Sequence, residues 1–105
     1  VELIICNNDG MAEGAISALQ GAGYNMGDGG KTIPVFGVDA TESAKQLINE
    51  GKMTGTVFND YMGQAKTAAD MAVKFLNGET VDPVNMVDYV KVTPDNAKDI
   101  LDIIK

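Results

Sequence analysis

Apolar positions along the chain alternate between short β-branched runs and longer stretches with helical spacing. The first run, Leu3-Ile4-Ile5-Cys6, is flanked by Val1 and Glu2 and followed by the turn cluster Asn7-Asn8-Asp9-Gly10, so it reads as a buried strand. Met11, Ala15, Ile16 and Leu19 then recur at helical spacing. They predict a helix from Met11 to Gln20 with Asp9 as its N-cap and Gly21 or Gly23 as its stop. A glycine-rich loop over 21–31 leads to a second strand, Ile33-Pro34-Val35-Phe36-Gly37-Val38, with proline near its start, where a missing donor is tolerated. Thr41 caps a second helix that runs through Asn49 and stops at Gly51. A third strand spans Thr54 to Phe58 and ends in Asn59-Asp60. A long helix from Met62 to Leu76 is stopped by Asn77-Gly78. The last elements are an extended segment from Met86 to Val92 and a short helix capped by Thr93, with Pro94 at its first position, ending near Ile104.

Strands and helices alternate with no hairpin turn between strands, an order that implies a parallel sheet with right-handed crossovers. The expected class is α/β, a three-layer parallel sheet of about four strands with flanking helices. A chain of 105 residues makes at most one compact domain. At this size folding hides only about 65% of the unfolded surface, so the stability margin is modest. With 45% hydrophobic and 22% charged residues, a disordered tail or a disulfide scaffold is ruled out. No apolar run approaches the roughly 18 residues of a membrane span. The first residues carry no signal-peptide pattern, so an exported protein is represented here by mature or internal sequence.

Charge narrows the function classes. Fifteen acids face eight bases, the net charge is -7, and every base is lysine. Without arginine there is no bidentate fork for phosphate or guanine, and the lysines are scattered, so nucleic acid is not an expected partner. The absence of histidine removes the usual general base, zinc ligand and pH switch. Neither serine, Ser17 or Ser43, lies in a nucleophile-elbow pattern. The chain is not expected to be an enzyme. Its single cysteine, Cys6, reads as a small buried hydrophobe.

The informative pattern is positional. Asn8, Asp39 and Asn59 each fall just past the carboxyl end of an apolar strand, 31 and then 20 residues apart. In an open parallel sheet those ends share one edge, so the three side chains are expected to converge in one crevice. Two amides and a carboxylate suit vicinal hydroxyls, which both donate and accept, and suit phosphate poorly because Asp39 repels anions. The plain alternative is that Asn, Asp and Gly follow strands because turns need them. Asp9 and Asp60 are assigned to capping. The spacing Gly21-x-Gly23-x-x-x-Gly27 follows a helix and is no dinucleotide loop, and Asp28-Gly29-Gly30 is no calcium loop. The six methionines read as core filler, and Tyr61 as a packing residue rather than a ligand platform.

Three blocks carry a resemblance: Asn7-Asn8-Asp9-Gly10-Met11-Ala12 with Gly14-Ala15, Ile33-Pro34-Val35-Phe36-Gly37-Val38-Asp39-Ala40, and Gly55-Thr56-Val57-Phe58-Asn59-Asp60 with Gln64-Ala65. In this order and spacing the chain resembles the rear portion of type I periplasmic binding proteins, and most of all the D-galactose/D-glucose-binding family of bacterial ABC transport. The first two blocks are shared with ribose binders and with the sensor cores of lactose-repressor-class regulators. Asn59-Asp60, where ribose binders commonly carry Gln, points to glucose and galactose. The tail Val90-Lys91-Val92-Thr93-Pro94-Asp95-Asn96 is similar to that family's C-terminal end.

The resemblance implies that Asn8, Asp39 and Asn59 hydrogen-bond the hydroxyls of a monosaccharide. It places hinge crossings at Asn59-Asp60 and at Val90, Lys91 and Val92, and implies two lobes that close over the sugar and deliver it to ABC permease subunits, and in some bacteria to a chemoreceptor. Localisation is then periplasmic or extracytoplasmic. Glu2 matches a glutamate that ligates structural calcium in some members; its partner loop is absent, so no metal or cofactor is expected of this chain, and calcium at Glu2 is expected only in a full-length parent. Residues 1–105 form one partial domain in this reading: the C-terminal sugar-binding lobe, the hinge segments, and a helix over 62–76 that belongs to the other lobe. The missing N-terminal portion is therefore an expected partner, and the chain alone is expected to bind sugar weakly or not at all. An exposed sheet edge invites self-association. The alternatives are the effector-binding core of a lactose-repressor-class regulator and a small flavodoxin-like α/β enzyme, the latter disfavoured by the absence of histidine, arginine and a phosphate loop.

Overall fold

The computed structural model describes residues 1–103. The described residues divide into two compact units, one formed by residues 1–58 with 91–103 and one by residues 59–90.

The first unit is built on strands β1 (Ile4–Ile5), β2 (Val35–Phe36) and β3 (Thr56–Phe58), with β4 (Val90–Val92) beside β3. β1 and β2 are parallel, with Ile4 opposite Val35 and Ile5 opposite Phe36. Parallel bridges join Phe36 to Gly55 and Asp39 to Phe58, which sets the order β1-β2-β3-β4. The α/β class expected from strand–helix alternation is thus present, with helices α1 (Asp9–Gly21) and α2 (Glu42–Asn49) between successive strands and α4 (Ala97–Ile103) after β4. Gly55 is required where β4 comes close, because a Cβ there would lie 2.9 Å from the Val92 carbonyl oxygen.

One core joins the helices to one face of the strands. Ala12 and Ile16 of α1, Ala44 and Ile48 of α2, and Ala97 and Ile100 of α4 meet Val35, Met53, Phe58 and Val92. Period-two alternation explains the strand contribution: Ile4 and Cys6 pack against this core while Leu3 and Ile5 are 50% and 74% exposed. Of the six methionines only Met53 is buried among them. Met11, Met26, Met62 and Met86 are exposed, so the core-filler reading holds for one residue.

A second anchor is Asn25, fully buried with φ 51°. Its amide donates to the Ile33 and Lys52 carbonyls at 2.8 and 3.0 Å, and its Oδ1 accepts from Ile33 N–H at 2.9 Å. This clasp closes the glycine-rich loop onto the segment that enters β2.

Several boundaries differ from expectation. The cap of α1 is Asn8, whose Oδ1 accepts from Met11 N–H at 2.8 Å; Asp9 is instead the first helical residue and is buried. Thr41 caps α2 as expected, accepting from Ala44 N–H. The fourth extended segment shortens to Val90–Val92. The last helix starts at Ala97, not at Pro94: Thr93 to Asn96 form a turn in which Asn96 Oδ1 accepts from Thr93 N–H at 2.9 Å, and Asn96 N–H and Ala97 N–H donate to the Thr93 carbonyl at 3.1 and 2.9 Å. The expected end near Ile104 lies outside the described residues.

The second unit contains α3 (Tyr61–Leu76) and the segment after it. Asp60 is its N-cap, accepting from Gly63 N–H at 2.8 Å, and Gly78 follows its end at φ 79°. No residue of α3 is buried, and Tyr61, read as a packing residue, is 54% exposed.

Candidate functional site

The carboxyl ends of β1, β2 and β3 are tied into one edge by backbone bonds. Asp9 N–H donates to the Val38 carbonyl at 2.8 Å, and Asp39 N–H donates to the Val57 carbonyl at 2.8 Å. Asn8 and Asp39 therefore flank a single inter-strand hydrogen bond, and both are exposed. Asn59 directly follows Phe58, the bridge partner of Asp39, and opens the second unit.

Local bonding decides what each side chain has left to offer. The Asn8 oxygen is committed to the cap of α1, which leaves its NH2 as the outward group. The Asn59 oxygen accepts from Gln64 Nε2 at 2.6 Å, which likewise leaves its NH2. The Asp39 carboxylate makes no hydrogen bond among the described residues. In the first unit, Asn8 and Asp39 thus offer an amide donor beside a carboxylate acceptor; in the second, Asn59 offers an amide donor. A hydroxyl that donates to Asp39 and accepts from an asparagine is satisfied on both sides, whereas an anion meets a fixed negative charge.

The backbone that presents Asp39 is strained. Asp39 has φ 116° and Ala40 φ 57°, both in the region that L-residues rarely adopt. Such a conformation persists only where its surroundings hold it, and it clusters at ligand sites. Behind it, Asp9 is fully buried. Its Oδ2 accepts from Thr41 N–H at 2.8 Å, and its Oδ1 accepts from Thr56 Oγ1 at 2.5 Å. Sequence reasoning assigned Asp9 to capping and passed over Thr56. The available signal was parity, since Thr56 shares the inward face of its strand with Phe58 and so requires a polar partner inside.

Lys45 of α2 lies beside this region, with almost none of its surface exposed. Burial pulls its ammonium below the ordinary lysine value, and the carboxylates of Glu42 and Asp9 oppose that shift. Glu2 is exposed, and no group of three or more His, Cys, Asp and Glu stands together among the described residues. No described helix is long and apolar enough to cross a membrane. Within the second unit, a cavity of about 400 Å³ is lined by Gln64, Thr67 and Met71 of α3 and by Asn85, Met86 and Val87. These residues carry no charge.

Comparison with known proteins places this geometry. Residues 1–80 match the family described as periplasmic binding protein domain. The chain is 38% identical to the D-galactose/methyl-galactoside binding periplasmic protein of Haemophilus influenzae over 110 residues, covering 96% of this chain and 31% of that protein. It is 36% identical to the ribose import binding protein of Escherichia coli, covering 84% of this chain and 28% of that one. Among crystal structures, a solute-binding protein of Bacillus halodurans with bound myo-inositol superposes with a TM-score of 0.79 at 40% identity, over 95% of this chain and 33% of that one. One from Actinobacillus succinogenes with bound D-allose gives 0.81 at 31% identity, over 94% and 34%. The chain thus spans about a third of the length of these relatives. Matching sequence over residues 1–80, together with a parallel sheet whose carboxyl edge carries Asn8 and Asp39, shows that the chain belongs to the periplasmic binding protein domain family.

Proposed function

We propose that the chain supplies part of a solute-binding protein that captures a neutral polyol, a monosaccharide in the first place, for uptake by an ABC transporter in the periplasmic or extracytoplasmic space. Asn8 and Asn59 donate amide hydrogens to sugar hydroxyls, and Asp39 accepts from them. The observation that carries this reading is the exposed Asp39 carboxylate, free of hydrogen bonds among the described residues and presented on a positive-φ backbone beside an asparagine whose oxygen is already committed. The mechanism is capture without bond making or breaking.

Closure follows from the division of the chain. The unit boundaries fall after Phe58 and after Val90, which supports hinge roles for Asn59-Asp60 and for Val90, Lys91 and Val92. A ligand that touches both sides of such a hinge only in the closed state shifts the population towards closure. The closed form then docks on the permease subunits.

Glucose or galactose is the proposed sugar, on the strength of Asn59-Asp60. The relatives' names span galactose, ribose, D-allose and myo-inositol, which supports the wider class of neutral polyols. A thermal-shift screen of the complete gene product that contains this chain tests the class. D-glucose and D-galactose are expected to raise Tm most, other neutral sugars and myo-inositol less, and glucose 6-phosphate not at all. A response to the phosphate with none to neutral sugars would overturn the reading.

A further inference from the structure

We propose that Asp9 is the positioning residue of the binding edge: it touches no ligand, and it holds Asp39 in its presenting conformation. This inference rests on the proposed sugar site and adds a residue to it.

The argument starts from the strain at Asp39 and Ala40, which something must hold. The two N–H groups that follow Asp39 both end on Asp9. Thr41 N–H donates directly to Asp9 Oδ2 at 2.8 Å. Ala40 N–H donates to Thr56 Oγ1 at 3.4 Å, and Thr56 Oγ1 donates in turn to Asp9 Oδ1 at 2.5 Å. An ionised carboxylate only accepts, so it fixes the direction of the Thr56 proton and leaves that oxygen's lone pairs to Ala40. A fully buried carboxylate needs such compensation, and the first turn of α1 adds a favourable field for negative charge. The same residue's N–H bonds the Val38 carbonyl, one residue before Asp39. Asp9 thus grips the strained turn on both sides.

Space around the carboxylate is reserved for it. A Cβ on Gly37 would overlap Asp9 Oδ1 and lie 3.0 Å from its Cα, so only glycine fits there. Asn8 is the preceding residue, which places the cap of α1 and the Asp39 turn on one support.

The test is nuclear magnetic resonance on the complete gene product that contains this chain and requires no ligand, so its failure is separable from failure of the sugar reading. Thr56→Val removes the relay hydroxyl at nearly constant shape; Thr56→Ser keeps the hydroxyl; Asp9→Ala removes both anchors. In Thr56→Val, amide exchange at Ala40 is expected to accelerate about tenfold or more, and the backbone shifts of Asp39 and Ala40 to move away from their positive-φ values. The Asn25 side-chain amide, in a separate clasp, keeps its resonances. Thr56→Ser restores the wild-type signature, and Asp9→Ala extends the loss to Thr41. Unchanged Asp39 and Ala40 signals in a folded Thr56→Val protein would overturn the proposal. So would unfolding of both Thr56→Val and Asp9→Ala, which would show a support of the whole unit rather than of this turn.

Discussion

Asp39 and Phe58 face each other as parallel bridge partners, and that pairing decides which end of the sheet carries the exposed carboxylate. The Asp39 N–H is consumed by the Val57 carbonyl, so the residue is held in the sheet while its side chain is released from it.

This arrangement sets stability against binding at one position. At φ 116° a non-glycine residue stores about 1–3 kcal/mol of strain, which glycine relieves. Glycine also loses about 0.5–1 kcal/mol more chain entropy on folding. In the complete gene product Asp39→Gly is therefore expected to add about 1 kcal/mol of stability in urea denaturation, while sugar affinity falls at least about tenfold. A destabilised Asp39→Gly protein would contradict the strain argument.

Asn8 has separable duties. Asn8→Asp keeps an oxygen for Met11 N–H and is expected to leave stability within about 0.5 kcal/mol. It replaces the outward NH2 by a second carboxylate oxygen, so sugar binding should fail. Asn8→Ala loses both and should cost about 1 kcal/mol of stability as well. Paired denaturation and calorimetry distinguish the two variants.

Lys45 gives the pH dependence a sign. Its folded pKa is lowered from 10.5 by burial, so between that lowered value and 10.5 the unfolded chain binds more protons and stability rises with pH. Below this window the protonated lysine is a standing penalty. Lys45→Met removes this desolvated ammonium and is expected to be at least as stable as the wild type at pH 7, the gain held down because Glu42 and Asp9 already offset part of the shift. The difference between the two proteins should shrink as pH approaches 10.5, followed by denaturation at a series of pH values.

Asn25 offers a control remote from the binding edge. Asn25→Ala leaves the Ile33 N–H and the Ile33 and Lys52 carbonyls without their partner and is expected to destabilise by about 2–4 kcal/mol. The backbone shifts of Asp39 should survive under conditions where the variant remains folded.

Element order and sheet class were legible because β-branched runs and turn clusters alternate with helical spacing, and the structure follows them. The edge positions of Asn8 and Asp39 were legible for the same reason: parallel topology sends every carboxyl end one way. The Asp9 node was not, because it joins residues 47 apart and a residue ahead of a helix has the composition of a cap whether or not it is one. The late start of α4 was missed because Thr93-Pro94 carries a start signal, and the turn over Thr93 to Asn96 that follows it precedes the first regular helical residue. The exposed methionines were missed because composition does not say which apolar residues find a partner within a unit.

The most direct test of the central claim is calorimetric titration of the complete gene product with its tightest-binding neutral sugar, before and after Asp39→Ala. Loss of the only charged acceptor of the set should weaken binding by about 1.5–3 kcal/mol with the protein still folded. An affinity unchanged by Asp39→Ala would contradict the account.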